Sequence, residues 1–230
     1  TFPGIRKRGQ AMKANERVVG YAAVGDLSSF PREILDKIRS EGLKALKDQG
    51  ITVVEFPGFL GTLEQANAAV QLFSKAMVDI VIFNFASWGE GGSILRVFNE
   101  MGSVPAILWA FGNHCENLTL TGIIEATSNL TKTGKKFDYV LGPPSSARTM
   151  RELSRCLEVL FLLKDLRQAS LGLIGYNCPG MVDATTDEIA LRRKIGCELL
   201  HLDLSDLFRA CGGIADQGVL EHAAKLKSSV

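Results

Sequence analysis

The chain has 230 residues, 46% of them apolar, with 26 basic and 25 acidic side chains and a formal net charge of +1. That length suits one large domain or two modest ones and leaves ample apolar surface for a core. The interspersed, near-neutral charge excludes a general nucleic-acid or acidic-membrane role, and no apolar run is long enough to span a bilayer.

Residues 1–16 are polar and unpatterned and read as an N-terminal arm; its basic cluster Arg6-Lys7-Arg8 reads as a solvated face. The chain has no signal peptide and no initiator Met, so its true start is expected upstream. The five cysteines (Cys115, Cys156, Cys178, Cys197 and Cys211) are odd in number, and no two are two or three residues apart. A zinc knuckle or CxxC site is therefore unsupported, and a reducing, cytoplasmic compartment is expected. Cys156 and Cys197 are expected to be small core residues. Two Asn-x-Thr triplets, Asn117-Leu118-Thr119 and Asn129-Leu130-Thr131, are read as chance without a secretion signal.

In chain order, Arg17–Ala23 is the first predicted strand, followed by the loop Val24–Ser29. Pro31 suits the first turn of a helix reaching Gln49, with Ser28 or Ser29 near its cap and an inward stripe of Ile34, Ile38, Leu43 and Leu46. Ile51–Phe56 is the second strand, and Thr62 with Gln65 predicts a capping box for the helix Leu63–Ala76. Val78–Phe83 is the third strand, and Asn84–Gly92 is a polar, Gly-rich loop before a helix over Ser93–Met101. Val104–Ala110 is the fourth strand, with Phe111–Cys115 as its loop; a helix over Leu118–Leu130 and a strand over Phe137–Leu141 follow.

Gly142-Pro143-Pro144-Ser145-Ser146 reads as a hinge, and the apolar stripe of Ala147–Arg167 suits a helix bridging two lobes. Ser170–Leu207 then reads as a complete βαβ unit, with strands Ser170–Gly175 and Cys197–Leu202 around a helix opened by Thr186-Asp187-Glu188. Ala215–Lys227 is a terminal helix. Strand–helix alternation predicts an α/β fold with a doubly wound parallel sheet, Rossmann- or flavodoxin-like, followed by the start of a second α/β domain. The expected domains are 17–142 and 143–230, the latter a linker helix with a partial sheet. Two strands rarely make a stable sheet alone, so it either packs on the first domain or is completed by sequence beyond Val230.

Ligands in such sheets sit outside the carboxyl ends of strands, which directs attention to the loops. Gly89-Glu90-Gly91-Gly92 lacks the third glycine of a dinucleotide fingerprint and follows the wrong strand. Trp88 in a polar loop suits stacking on a sugar face or cation, or else packing under a neighbouring loop or at a subunit contact; Glu90 beside it suits accepting hydroxyl hydrogen bonds or simply favouring the following helix N-terminus. Asn113 and His114 end the fourth strand. His114 has no nucleophile elbow nearby, so a polar binding or interface role is preferred to catalysis. His201 and His222 read as structural. Asp183, Asp187 and Glu188 fit ordinary helix N-terminal preference, and no metal-ligand spacing stands out.

The string Ile174-Gly175, Gly180-Met181, Ile195-Gly196 and Asp203-Leu204-Ser205-Asp206-Leu207 resembles the N-terminal region of the L-fucose/L-arabinose isomerase family, although Asp206 stands where Glu is commoner there. The upstream order is similar too: Asn84–Gly92 with Trp88 resembles that family's sugar-facing loop. Asn113 and Leu118–Leu130 resemble its fourth-strand loop and helix. The resemblance covers most of residues 17–228. It implies aldose–ketose isomerisation through an enediol with Mn²⁺ or a related divalent ion, whose ligands lie in later sequence. It also implies a sugar-enclosing surface of Trp88, Met181, Asn113 and Glu90, with no catalytic or metal residue in these 230. A homo-oligomer, trimer or hexamer, is implied, the tryptophan reaching a neighbouring subunit's site. The expected function is thus the N-terminal fragment of a sugar-isomerase-like protein, inactive alone. The alternative is a non-enzymatic, two-lobed sugar-binding module hinged at Gly142–Ser146. A nucleotide-binding enzyme is a third possibility, requiring phosphate affinity at Gly89–Ser93.

Overall fold

A computed structural model describes residues 17–112, 117–214 and 216–228. The described residues fall into two compact units, one ending at Leu162 and the next beginning at Leu163.

Short apolar runs form the centre of the first unit. β1 (Val18–Val24) is buried beyond its first residue, and β3 (Ile80–Phe85) and β4 (Ala106–Ala110) are buried throughout. Strands of this kind need cover on both faces, and both are covered. With β2 (Thr52–Leu60) and β5 (Asp138–Leu141) at the edges, they make a parallel sheet in the order β2-β1-β3-β4-β5. α1 (Arg32–Asp48) and α5 (Ala147–Gln168) cover one face around Tyr21, Leu46, Ile82, Trp109, Leu153 and Leu157. α2 (Leu63–Lys75), α3 (Gly91–Glu100) and α4 (Thr119–Lys132) cover the other around Phe73, Phe83, Phe85, Val97 and Ile123. Alternating strands and helices thus give the expected doubly wound sheet.

Local differences from the sequence reading have physical causes. β2 continues past Phe56 to Leu60, because a register shift admits Pro57 and Gly58. Gly58 takes φ +118°, which only glycine adopts readily, and an edge strand tolerates a proline. β3 continues through Asn84 and Phe85. Asn84 is fully buried and satisfied: its Oδ1 lies 2.9 Å from the Tyr21 hydroxyl, and its Nδ2 donates to the Trp109 carbonyl at 3.4 Å. The Tyr21 hydroxyl is also 2.9 Å from the Arg39 carbonyl. Burial pushes this phenol well above its ordinary pKa, with the charge of Glu55 adding to the effect, so it stays a neutral donor. Pro31 occupies the N-cap of α1 rather than its first turn, and no side chain caps that helix. The inward stripe of α1 is Leu35, Ile38, Gly42 and Leu46, with Ile34 and Leu43 only partly buried.

In the second unit, β6 (Ser170–Ile174) and β7 (Glu198–Leu202) pair in parallel around α6 (Glu188–Lys194). Asp187 caps α6, accepting from the Ala190 N–H at 2.9 Å, so the helix opens slightly later than Thr186. α7 (Leu204–Gly212) is capped by Asp203, and α8 (Asp216–Ser228) follows. No described side chain of β6, β7, α6 or α7 is buried, although Cys197 before β7 is. Cys156, the other cysteine expected in the core, is half-buried, and burial raises its thiol pKa.

Candidate functional site

The strand order reverses between β1 and β3: the chain leaves β1 toward β2 on one side and returns to place β3 on the other. Loops diverge at such a switch point and leave a crevice at the strands' carboxyl ends. A cavity of about 350 Å³ lies there, lined by Gly25, Asp26, Leu27 and Ser28 after β1, by Phe59, Gly61, Thr62 and Gln65 at the β2–α2 junction, and by Trp88, Gly89 and Glu90 after β3.

Hydrogen bonds fasten the segments after β1 and β3 together. The Ala86 and Ser87 N–H groups donate to the Val24 carbonyl at 2.9 and 3.2 Å. The Asp26 N–H donates to Ser87 Oγ at 3.0 Å, and that hydroxyl donates to the Trp88 carbonyl at 2.9 Å. At α2 the expected capping box is present: Gln65 N–H donates to Thr62 Oγ1 at 3.3 Å, and Gln65 Oε1 accepts from the Gly61 and Thr62 N–H groups at 2.8 and 3.0 Å. The Gln65 amide oxygen is thereby committed, and its NH₂ group is the end left to donate.

Close backbone approach requires small residues here. A Cβ on Gly89 would meet Val24 Cγ1 at 2.9 Å, and one on Gly122 of α4 would meet the Ser87 carbonyl oxygen at 2.8 Å and Trp88 Cα at 2.9 Å. α4 therefore lies directly behind the tryptophan loop and holds it forward. Trp88 is 38% exposed, unusual for so large an apolar side chain. Glu90 is exposed and makes no capping bond, while its carbonyl accepts from the Ser93 hydroxyl at 2.7 Å.

Asp26 is the most constrained polar group in the cavity. Its Oδ1 accepts from the Ser28 N–H at 2.9 Å and the Ser28 hydroxyl at 2.6 Å, and Oδ2 accepts from the Ser29 hydroxyl at 2.6 Å. The serines expected to cap α1 are thus turned to this carboxylate. The hydroxyl bond from Ser28, followed by that from Ser29, holds the Asp26 carboxyl below its usual pKa. A depressed folded-state value stabilises the loop above the ordinary aspartate pKa of about 3.9, and the gain is lost as pH falls through the folded value. The stability difference between the chain and its Asp26→Asn variant is accordingly expected to be flat from about pH 5 to pH 8 and to vanish in more acidic solution. Urea midpoints measured across pH check this.

Trp88 and Glu90, singled out from sequence, therefore share one cavity. Asp26, Ser28, Thr62 and Gln65 join them there, although sequence reasoning did not select them. The signal was available in the polar loop after the first strand, but only the strand order places that loop beside Trp88. Met181 lies in the second unit, 56% exposed in the loop after β6, where its N–H donates to the Cys178 carbonyl at 3.1 Å. Asn113 and His114 lie outside the described residues. His201 Nε2 is 2.8 Å from Glu188 Oε1 in an exposed pair joining β7 to α6.

Among the described residues no group of three or more His, Cys, Asp or Glu side chains is placed to hold a metal ion. The cavity carboxylates therefore do not fit the divalent ion that the family resemblance implies. No described helix is long and apolar enough to cross a membrane.

No family model matches the chain. It is similar to proteins named sulfoquinovose isomerase: 23% identity over 213 residues with those of Priestia aryabhattai and Priestia megaterium, covering 89% of this chain and 47% of each relative. The protein of that name from Alkalicoccus urumqiensis is 21% identical over 157 residues, covering 66% of this chain and 35% of its own length. The chain spans about half the length, or less, of the curated relatives it matches. These matches support kinship with sugar isomerases and do not single out the L-fucose/L-arabinose branch.

Proposed function

We propose that these 230 residues form the N-terminal portion of an aldose–ketose isomerase-like protein and supply a sugar-enclosing wall rather than the catalytic centre. The observation carrying this reading is the switch-point cavity, in which an exposed indole stands beside hydrogen-bonding groups. Sugars present C–H faces that stack on tryptophan and hydroxyls that both donate and accept, matching Trp88, Gln65 and Glu90. Similarity along most of the chain to proteins named as sugar isomerases points the same way.

In this reading the divalent ion, Mn²⁺ or a close relation, is held by polypeptide outside these residues. The cavity residues bind and orient the sugar and exclude water from one side. Met181 and Asn113 are the further sugar-contacting residues that the family resemblance implies. The working protein is a cytoplasmic homo-oligomer, trimeric or hexameric, in which this wall serves a neighbouring subunit's site.

The test is an isomerisation assay of the 230-residue chain with Mn²⁺ and a panel of aldoses that includes sulfoquinovose. No ketose is expected, while sugars should perturb the emission of Trp88 against a constant background from fully buried Trp109. Appreciable turnover would show that the catalytic centre lies within these residues. The absence of any sugar response would remove the wall reading.

A further inference from the structure

Resting on the sugar-wall reading, we infer that this wall selects against negative charge: it receives a neutral, hydroxyl-bearing face of the sugar and repels an anionic substituent set against it. The described lining contains two carboxylates, Asp26 and Glu90, and no lysine, arginine or histidine. Asp26 is fixed as an anion by its serine hydroxyls, and each of its oxygens already accepts at least one hydrogen bond. It acts on a ligand chiefly through its charge. Glu90 is the acceptor open to a hydroxyl, and the Gln65 amide offers a donor. A neutral polyol satisfies both.

A sulfonate cannot do the same. It is anionic, it only accepts, and against this wall it meets two like charges with no cation among the described lining residues to offset them. Sulfoquinovose, the sugar in the relatives' names, is a hexose with a sulfonate on its sixth carbon. Even with its sulfonate turned away, a sugar of that kind keeps the charge within one ring's width of Asp26 and Glu90, where it is still repelled at low ionic strength. These two side chains are accordingly assigned as specificity determinants, acting through charge and not through chemistry on the sugar.

A charge series on one ring tests this. The 230-residue chain is titrated at low ionic strength with glucose, sulfoquinovose and 2-amino-2-deoxyglucose, following tryptophan emission. Glucose is expected to bind about tenfold more tightly than sulfoquinovose, and the cationic sugar at least as tightly as glucose. The difference should collapse near 1 M salt, where the screening length is about 3 Å. Glu90→Gln should bring sulfoquinovose within about threefold of glucose. Asp26→Asn should act in the same direction, but its serine bonds make it the riskier variant, whereas the Glu90 side chain caps nothing. Sulfoquinovose binding as tightly as glucose, or an unchanged ratio in Glu90→Gln, overturns the charge selection while the sugar wall stands. No saturable response to any of the three sugars overturns the wall reading and this inference together.

Discussion

Trp109→Ala is expected to cost the first unit about 3–5 kcal/mol. The indole is fully buried near the carboxyl end of β4, its ring 5.0 Å from that of Phe111, and its Nε1–H donates to the Gly142 carbonyl at 3.0 Å. Two effects contribute, and their sizes differ. Truncation removes most of a large side chain from between the sheet and the α1 and α5 layer, leaving a void that rigid neighbours cannot close. The lost hydrogen bond adds only about 1 kcal/mol, because Gly142 is half-buried and its carbonyl has access to water. Trp109→Phe keeps a ring and loses the bond, so it separates the two. Urea unfolding should give Trp109→Ala a far lower midpoint than Trp109→Phe, and equal losses would mean that the hydrogen bond, not packing, dominates. For a unit of this size the alanine variant should melt roughly 10 °C lower.

Gly122→Val is the second large effect, and it reaches the candidate site from behind, from a residue outside the cavity lining. Glycine inside a helix costs about 1 kcal/mol relative to alanine, so propensity alone favours replacing it. Sterics decide otherwise. Any Cβ at this position meets the Ser87 carbonyl oxygen and Trp88 Cα at under 3 Å, and both are backbone atoms that cannot swing aside. Overpacking of this kind costs typically 1–3 kcal/mol, and valine's branching places it at the upper end. The loop must move, carrying Trp88 with it. Expected results are a net destabilisation of about 2 kcal/mol and loss of the sugar-induced emission change. Gly92→Ala is the control: a Cβ there meets nothing within 4 Å, so stability should hold or rise slightly and the emission response should persist. If Gly122→Val binds sugar as the parent chain does, the loop is not positioned by α4.

The sequence disclosed the sheet because its signals are local. Runs such as Val78–Phe83 are almost wholly apolar, and the Thr62–Gln65 cap lies within a single turn. What it concealed depended on partners distant in the chain. Asn84 reads as the start of a loop because asparagine is polar, yet it completes β3 once Tyr21, 63 residues earlier, and the Trp109 carbonyl satisfy it. Ser28 and Ser29 read as helix caps, yet they are nearer in geometry to Asp26. Trp88 and Glu90 were legible as anomalies of composition, a large aromatic and an acid in a glycine-rich loop. Asp26 and Gln65 were not, since nothing local says that β1 and β3 are neighbours while β2 lies outside them.

The register shift in β2 also bears on whether a further strand can join this sheet. Two residues more on β2 than on β1 between Tyr21 and Ala23 place Pro57 and Gly58 on the outer strand. Pro57 has no N–H to offer a newcomer, and the bulge breaks the straight run of donors and acceptors that a docking strand would need. The opposite edge, β5, is only four residues long and begins with Asp138, just after Lys135 and Lys136. Neither border of this sheet is a template for adding strands. Any association of this unit would thereby be directed to helix and loop surfaces, and a sheet running continuously from one copy into another is disfavoured at both ends.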